Sequence, residues 1–179
     1  MTDNEEVSSI LVDNEETIAH MKRCANMARK FAIFLELPLN EIRLLEKCAL
    51  LHDIGKLFLP SDILYKKGKL TENEFKLIKS HTSFEMPKMY GVEIQEAIAY
   101  HHERPDGRGY MKIKYENLSM YPKIVALLDV FDVMNNTRCY KDEISDKNAI
   151  ISEIEYNLDS QFDIKYGKLF IEFLQNQQE

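Results

Sequence analysis

The residues of this chain that could do chemistry are five histidines and the carboxylates near them: His20, His52, His81, His101 and His102, with Glu16, Asp53 and Asp129. Together they offer eight nitrogen or oxygen ligands and no thiolate. Eight is too many for one tetrahedral zinc and suits two or three ions of octahedral preference. Imidazole with carboxylate fits Fe, Mn, Zn, Ni or Co alike. Divalent ions held side by side lower the pKa of a water shared between them. They also clamp the nonbridging and departing oxygens of a phosphate ester. Each residue has a plainer reading as well. Glu16 and His20, four apart, make an ordinary exposed helix pair. His52-Asp53 alone reads as a surface pair or a capped helix end, His81 as a satisfied core histidine, and His101-His102 as a polar helix end. Asp129 and Asp132 fit a plain reading poorly. They lie three apart in an apolar run, where a carboxylate is costly unless paired or metal-bound.

These side chains need a frame, and the composition points to helices. The chain has 179 residues with 6 Gly and 5 Pro, 45% of them apolar and 30% charged, which favours one helical domain with a real core. Residues 1–13 read as a flexible polar tail and residues 14–179 as the domain. Apolar residues recurring at three and four predict a helix from about Asn14 to Glu36. A second helix, with Pro38 in its first turn, delivers His52-Asp53. There Gly55 turns the chain and Lys56 adds a fixed charge. A short helix precedes a turn at Gly68. Thr71 to Glu74 is a capping box that opens a third long helix, with Phe75, Ile78 and Met86 on its inner side and His81 within it. Gly91 ends or bends that region. Val92 to Glu103 reads as a helix whose Glu103 could orient a neighbouring ring. Arg104 to Tyr110 is a turn-rich loop, and a short hairpin between Tyr110 and Asn117 is the one place for a sheet. Ser119 to Asn135 is a central buried helix. Helices from Ser145 to Leu158 and from Phe162 to Gln177 follow, the last weakened at its start by Gly167.

The same numbers exclude several function classes. A net charge of −7 argues against a nucleic-acid polymer as ligand. No apolar run reaches membrane-spanning length, and the acidic N-terminus is wrong for a targeting peptide. Cys24, Cys48 and Cys139 are an odd number without C-x-x-C spacing. They read as buried or free thiols of a reducing, cytoplasmic setting.

Read in order, the motifs resemble the HD-GYP family, a branch of the HD phosphohydrolase superfamily. The resemblance rests on His52-Asp53-Ile54-Gly55-Lys56, His81, His101-His102-Glu103-x-x-Asp106-Gly107-x-Gly109-Tyr110, and Asp129-x-x-Asp132 leading to Arg138-x-Tyr140. The run Ile63-Leu64-x-Lys66-x-Gly68-x-Leu70-Thr71-x-x-Glu74 matches too, so the likeness covers roughly Glu15 to Phe170. It implies an all-α helical bundle with a turn-rich signature loop. His20, His52, Asp53, His81, His101, His102 and Asp129 fall on its metal-ligand positions, with Asp53 bridging two ions and Glu16 recruiting a third. Lys56 would contact the scissile phosphate and serve catalysis with Asp53. Arg138 and Lys141 would bind the ligand's phosphates or bases, and Tyr110 would sit beside the pocket. The implied activity is hydrolysis of cyclic di-GMP to the linear dinucleotide and on to GMP by a metal-bridging hydroxide. Fe or Mn comes first among the metals, with Zn, Ni and Co as alternatives.

Three departures stand out. Met111 replaces the motif's proline, and Glu85 replaces a glycine, either adding a carboxylate to the site or facing solvent. There is no room for a sensory domain, so the protein acts alone, takes its input from a signalling partner in trans, or is an excised piece. Two other readings follow: a cyclic-dinucleotide receptor with little turnover, and an HD nucleotidase acting on mononucleotides. The complete ligand set weighs against the first, and the Gly-Tyr loop with Arg138 and Lys141 against the second.

Overall fold

The computed structural model describes residues 14–139 and 147–177, with the side chains of residues 137–139 outside that description. The described residues include eight α-helices: α1 (Glu15–Phe34), α2 (Leu39–Leu51), α3 (Ser61–Leu64), α4 (Glu72–Lys79), α5 (Val92–Tyr100), α6 (Met120–Cys139), α7 (Lys147–Tyr156) and α8 (Ile164–Asn176). No strand occurs among them, and the all-α expectation holds.

The core forms around α6, whose Ile124, Val125, Leu127 and Leu128 are fully buried. It is apolar nearly all round because α1, α2, α5, α7 and α8 all pack on it. At the far end from the histidines, Phe31 of α1 meets Phe170 and Phe173 of α8 at ring distances of 5.1 and 5.4 Å. The longest packed pair is α1 against α2. That pairing sets His20 on α1 beside His52 just past the end of α2.

Several expected boundaries move, each for a local reason. The third helix is not long. The capping box on Thr71 forms as expected, but α4 stops at Lys79 and tightens into a 3₁₀ turn over Ser80–Ser83. Three successive side chains bond back to carbonyls of the preceding turn: Ser80 to Leu77 at 2.6 Å, His81 to Ile78 at 2.7 Å and Thr82 to Lys79 at 2.9 Å. Such back-bonding competes with the helix ladder. Met86 therefore lies beyond any helix, where its amide and the Phe84 carbonyl are held by the Gln95 side chain. Phe75, expected to face inward, is exposed, and Glu85 faces solvent.

Likewise α5 ends at Tyr100, and no hairpin follows. Glu103 turns inward instead and accepts hydrogen bonds from the Met111 and Ile113 amides at 2.6 and 2.9 Å. The amides a hairpin would use are thus taken by one carboxylate, and Glu103 orients the loop rather than a histidine ring. The final helix begins at Ile164, capped by Asp163, with Gly167 buried inside it. The expected start at Ser145 lies outside the described residues.

Candidate metal centre

All five imidazoles converge with Asp53 and Asp129 at one end of the bundle, each delivered by the end of an element or by a helix face turned inward. His20 comes from α1, His52 and Asp53 from the turn after α2, His81 from the 3₁₀ turn, His101 and His102 from the turn after α5, and Asp129 from α6. His52, Asp53, His81 and His101 are almost wholly buried. Convergence depends on Gly55. A Cβ there would stand 2.3 Å from the His81 carbonyl oxygen and 2.8 Å from its Cα. The missing side chain is what lets the two backbones meet.

The imidazoles share one anchoring scheme. His52, His81 and His101 each donate from Nδ1 to a carbonyl one turn back, at 2.8, 2.7 and 2.9 Å. Such a bond fixes the tautomer and leaves Nε2 as a bare lone pair aimed inward. His20 is anchored differently. Its Nδ1 donates to Asp132 across the bundle at 2.8 Å, and Asp132 is gripped in turn by Arg23 at 2.9 and 3.1 Å. His102 packs between two tilted rings, 4.1 Å from His101 and 4.4 Å from Tyr110.

Asp53 lies between two groups. Its Oδ1 is 3.3 Å from His81 Nε2 and 3.6 Å from His101 Nε2. Its Oδ2 is 3.4 Å from His52 Nε2 and 3.7 Å from His20 Nε2. Potential ligand atoms of His81, His101 and His102 lie within 4.8 Å of one another, as do those of His20, His52 and Asp129. One carboxylate thus offers one oxygen to each trio.

The donors fit divalent cations. His81 and His101 bring their Nε2 atoms to 3.4 Å, yet both protons sit on Nδ1, so two lone pairs face each other and no hydrogen bond can join them. His52 Nε2 and Asp53 Oδ1 are buried without a hydrogen-bond partner, which is costly unless a cation serves them. The electrostatics agree. Burial pushes His81 down to about 4 and His102 down to about 2, so both are neutral donors at neutral pH. Burial would raise Asp53, but the Lys56 ammonium beside it opposes this, and the carboxyl is held well below its usual range. Burial pulls His20 down too, yet Asp129 and Asp132 win and raise it to about 12. This corner favours positive charge, whether proton or metal.

One predicted residue stands apart from the cluster. Glu16 is not among the gathered donors: its side chain is 58% exposed and bonds Arg23 at 3.1 Å. Arg23 lies two helical turns along α1 and draws the carboxylate outward. Lys56 bonds Asp53 Oδ2 at 2.6 Å and lines the cavity beside it. Tyr110 lies over His102, with the Lys79 ammonium 4.4 Å from its ring. The Arg138 side chain and Lys141 lie outside the described residues. Sequence reasoning missed Arg23 and left Asp132 without a role. The signal was there in Arg23 standing three residues after His20 and Asp132 three after Asp129.

The model of the HD domain matches residues 5–165. The chain belongs to the HD domain family. The resemblance read from the motifs is borne out. This HD domain is similar to the 3'3'-cGAMP-specific phosphodiesterase 2 of Vibrio cholerae, at 31% identity over 96% of this chain and 36% of that protein. It is also similar to the cyclic di-GMP phosphodiesterase response regulator RpfG of Xanthomonas campestris, at 37% identity over 70% of this chain and 35% of that protein. A cyclic di-GMP phosphodiesterase of Thermotoga maritima is 36% identical over 70% of this chain and 36% of its own length. The chain spans about a third of the length of these relatives. No helix among the described residues is long and apolar enough to cross a membrane.

Proposed function

We propose that this HD domain is a metal-dependent phosphodiesterase that opens cyclic di-GMP to the linear dinucleotide and carries it on to GMP. The observation that supports this best is Asp53, with one oxygen toward each trio of donors. His20, His52 and Asp129 with Asp53 Oδ2 would hold one divalent ion, and His81, His101 and His102 with Oδ1 the other, Fe or Mn being our choice. Bound ions would supply Lewis acidity, acidifying water and neutralising the charge on a phosphodiester.

The chain's own residues supply the rest. Lys56 carries its ammonium at the cavity edge next to Asp53, within reach of a nonbridging phosphoryl oxygen that gains charge. The cavity of about 420 Å³ runs from Asp53 and Asp129 past Arg23 to Thr17 and Tyr65. Thr17 and Tyr65 hydroxyls bond at 2.8 Å and line it together. Leu64 and Val133 give it apolar surface for a sugar or base. Arg138 and Lys141 remain our candidates for the ligand's phosphates or bases. Glu16, drawn to Arg23, leaves two ions as our preferred number. The proposal includes a cytoplasmic setting, in keeping with the free thiols of Cys24 and Cys48, and a signalling protein acting in trans.

The test is chain prepared without oxygen, loaded with Fe(II) or Mn(II), and incubated with cyclic di-GMP. Products are resolved by chromatography and metal is counted on the same sample. Turnover that Asp53→Ala abolishes, together with its metal, is the expected result. Full metal with bound but uncleaved ligand would reject the hydrolase. So would full activity in Asp53→Ala.

A further inference from the structure

A second cavity, of about 230 Å³, opens beneath the loop and shares Asp129 with the first. The two therefore meet at the metal centre, where Asp129 of α6 lines both: Asp132 and Val133 of the same helix line the first, Ala126 and Val130 the second. A ligand with two nucleoside halves joined at a scissile phosphate needs room on both sides of that point.

The second cavity has the character of a base pocket. Ala126, Val130 and Phe162 give it apolar surface. Its rim carries Arg108 and Gln161, which the fold brings together. The Asp106 amide donates to the Ser160 carbonyl at 3.2 Å, docking the loop beside Gln161. The Asp106 carboxylate also takes the Arg108 amide at 3.0 Å. That carboxylate is itself held by the Arg104 guanidinium at 3.0 and 2.7 Å, so it is not free to hold the Arg108 side chain. Among the described residues, neither the Arg108 guanidinium nor the Gln161 amide has a hydrogen bond or ion pair of its own. Two uncommitted polar side chains beside apolar surface are what a nucleobase requires.

We propose that this cavity is a guanine subsite for the half of the substrate away from the first cavity, read by Arg108 and Gln161. It rests on the reading of the substrate as a cyclic dinucleotide. The chemistry selects the base. Guanine presents O6 and N7 as adjacent acceptors, the pair that a guanidinium meets with two parallel bonds. Its N1–H and N2 amino group are donors that the Gln161 carbonyl can accept. Adenine would turn its N6 amino donor toward Arg108 and an acceptor toward the Gln161 carbonyl, opposing both. A bidentate contact of this kind discriminates roughly 5- to 150-fold.

The experiment titrates GMP and AMP into the metal-loaded full chain by calorimetry, and measures kcat/KM for cyclic di-GMP and cyclic di-AMP, for wild type, Arg108→Met and Gln161→Leu. Arg108 is exposed, and a melting curve checks that its variant is folded. Wild type is expected to prefer guanine by roughly 5- to 150-fold in both assays. Arg108→Met should erase most of the preference, through KM more than kcat, and Gln161→Leu part of it. A preference that survives in Arg108→Met would overturn the proposal, as would wild type that binds both mononucleotides alike or neither. Guanine preference lost in Arg108→Met, in a chain that cleaves no cyclic dinucleotide, would keep the subsite and reject the phosphodiesterase. Cleavage with a preference indifferent to Arg108 would do the reverse.

Discussion

Replacing Gly55 by alanine tests the architecture of the centre with a single methyl group. The added Cβ would stand 2.3 Å from the His81 carbonyl oxygen, 2.8 Å from its Cα and 2.9 Å from its carbonyl carbon. These are backbone atoms, so no rotamer change relieves the clash. Reaching ordinary contact at 3.4 Å means moving the 3₁₀ turn by about 1.1 Å. His81 rides on that turn, with Nε2 now 3.3 Å from Asp53 and 3.4 Å from His101 Nε2. Overpacking of this kind costs about 1–3 kcal/mol, or a Tm lower by roughly 2–12 °C in a chain of this size. The displacement should cost more in function than in stability, because a shift of about 1 Å in a reacting constellation can cost about 100-fold in rate. The assay pairs thermal melts with equilibrium dialysis against Mn(II) and with turnover. Gly55→Ala is expected to fold, melt lower, lose metal from the His81 trio first and lose most activity. Wild-type melting temperature and full metal content in this variant would refute the argument that the close approach of Gly55 to His81 builds the site.

Two further perturbations probe how the site is held. Arg23→Met removes the two-pronged grip on Asp132, and outer-shell losses of this type cost about 10- to 100-fold in metal affinity. Arg23→Lys should restore only part of it. Dialysis reads the result, and unchanged affinity in Arg23→Met would remove Arg23 from the site. Glu103→Gln puts an amide donor where Met111 and Ile113 both present N–H groups. The loss of one charge-assisted bond, about 1.5–3 kcal/mol, should show as a lower Tm and faster proteolytic cutting near Met111. A loop as resistant as wild type would show that Glu103 does not hold it.

The helices were legible because burying an apolar face leaves a period of three and four. Ile124, Leu127, Leu128 and Phe131 repeat on that rhythm and are all buried. The gathering of imidazoles was legible in their number and their acidic neighbours. What escaped reading depends on where a side chain spends its hydrogen bonds. Nothing in the composition of Ser80-His81-Thr82 says that all three bond backward and tighten the chain. Glu103 follows two histidines yet serves backbone amides eight and ten positions on. Glu16 stands one turn before His20, as a fellow ligand would, and yet a cation two turns along takes it. Such choices are made in three dimensions among competing partners, which a one-dimensional spacing does not rank.

The bond between His20 and Asp132 joins positions 112 residues apart, and that distance governs the order of events in folding. A contact so distant carries its full loop-closure cost before it returns anything. The α1 side of the centre is then expected to come together late, after α6 has docked, so that an ion bound across it would not act as a nucleus. Its influence falls on the way out instead: a ligand that joins only the finished fold slows unfolding and leaves the folding rate almost unchanged. For this domain the centre would then act as a latch on the native state, with metal supply setting how long a folded molecule survives.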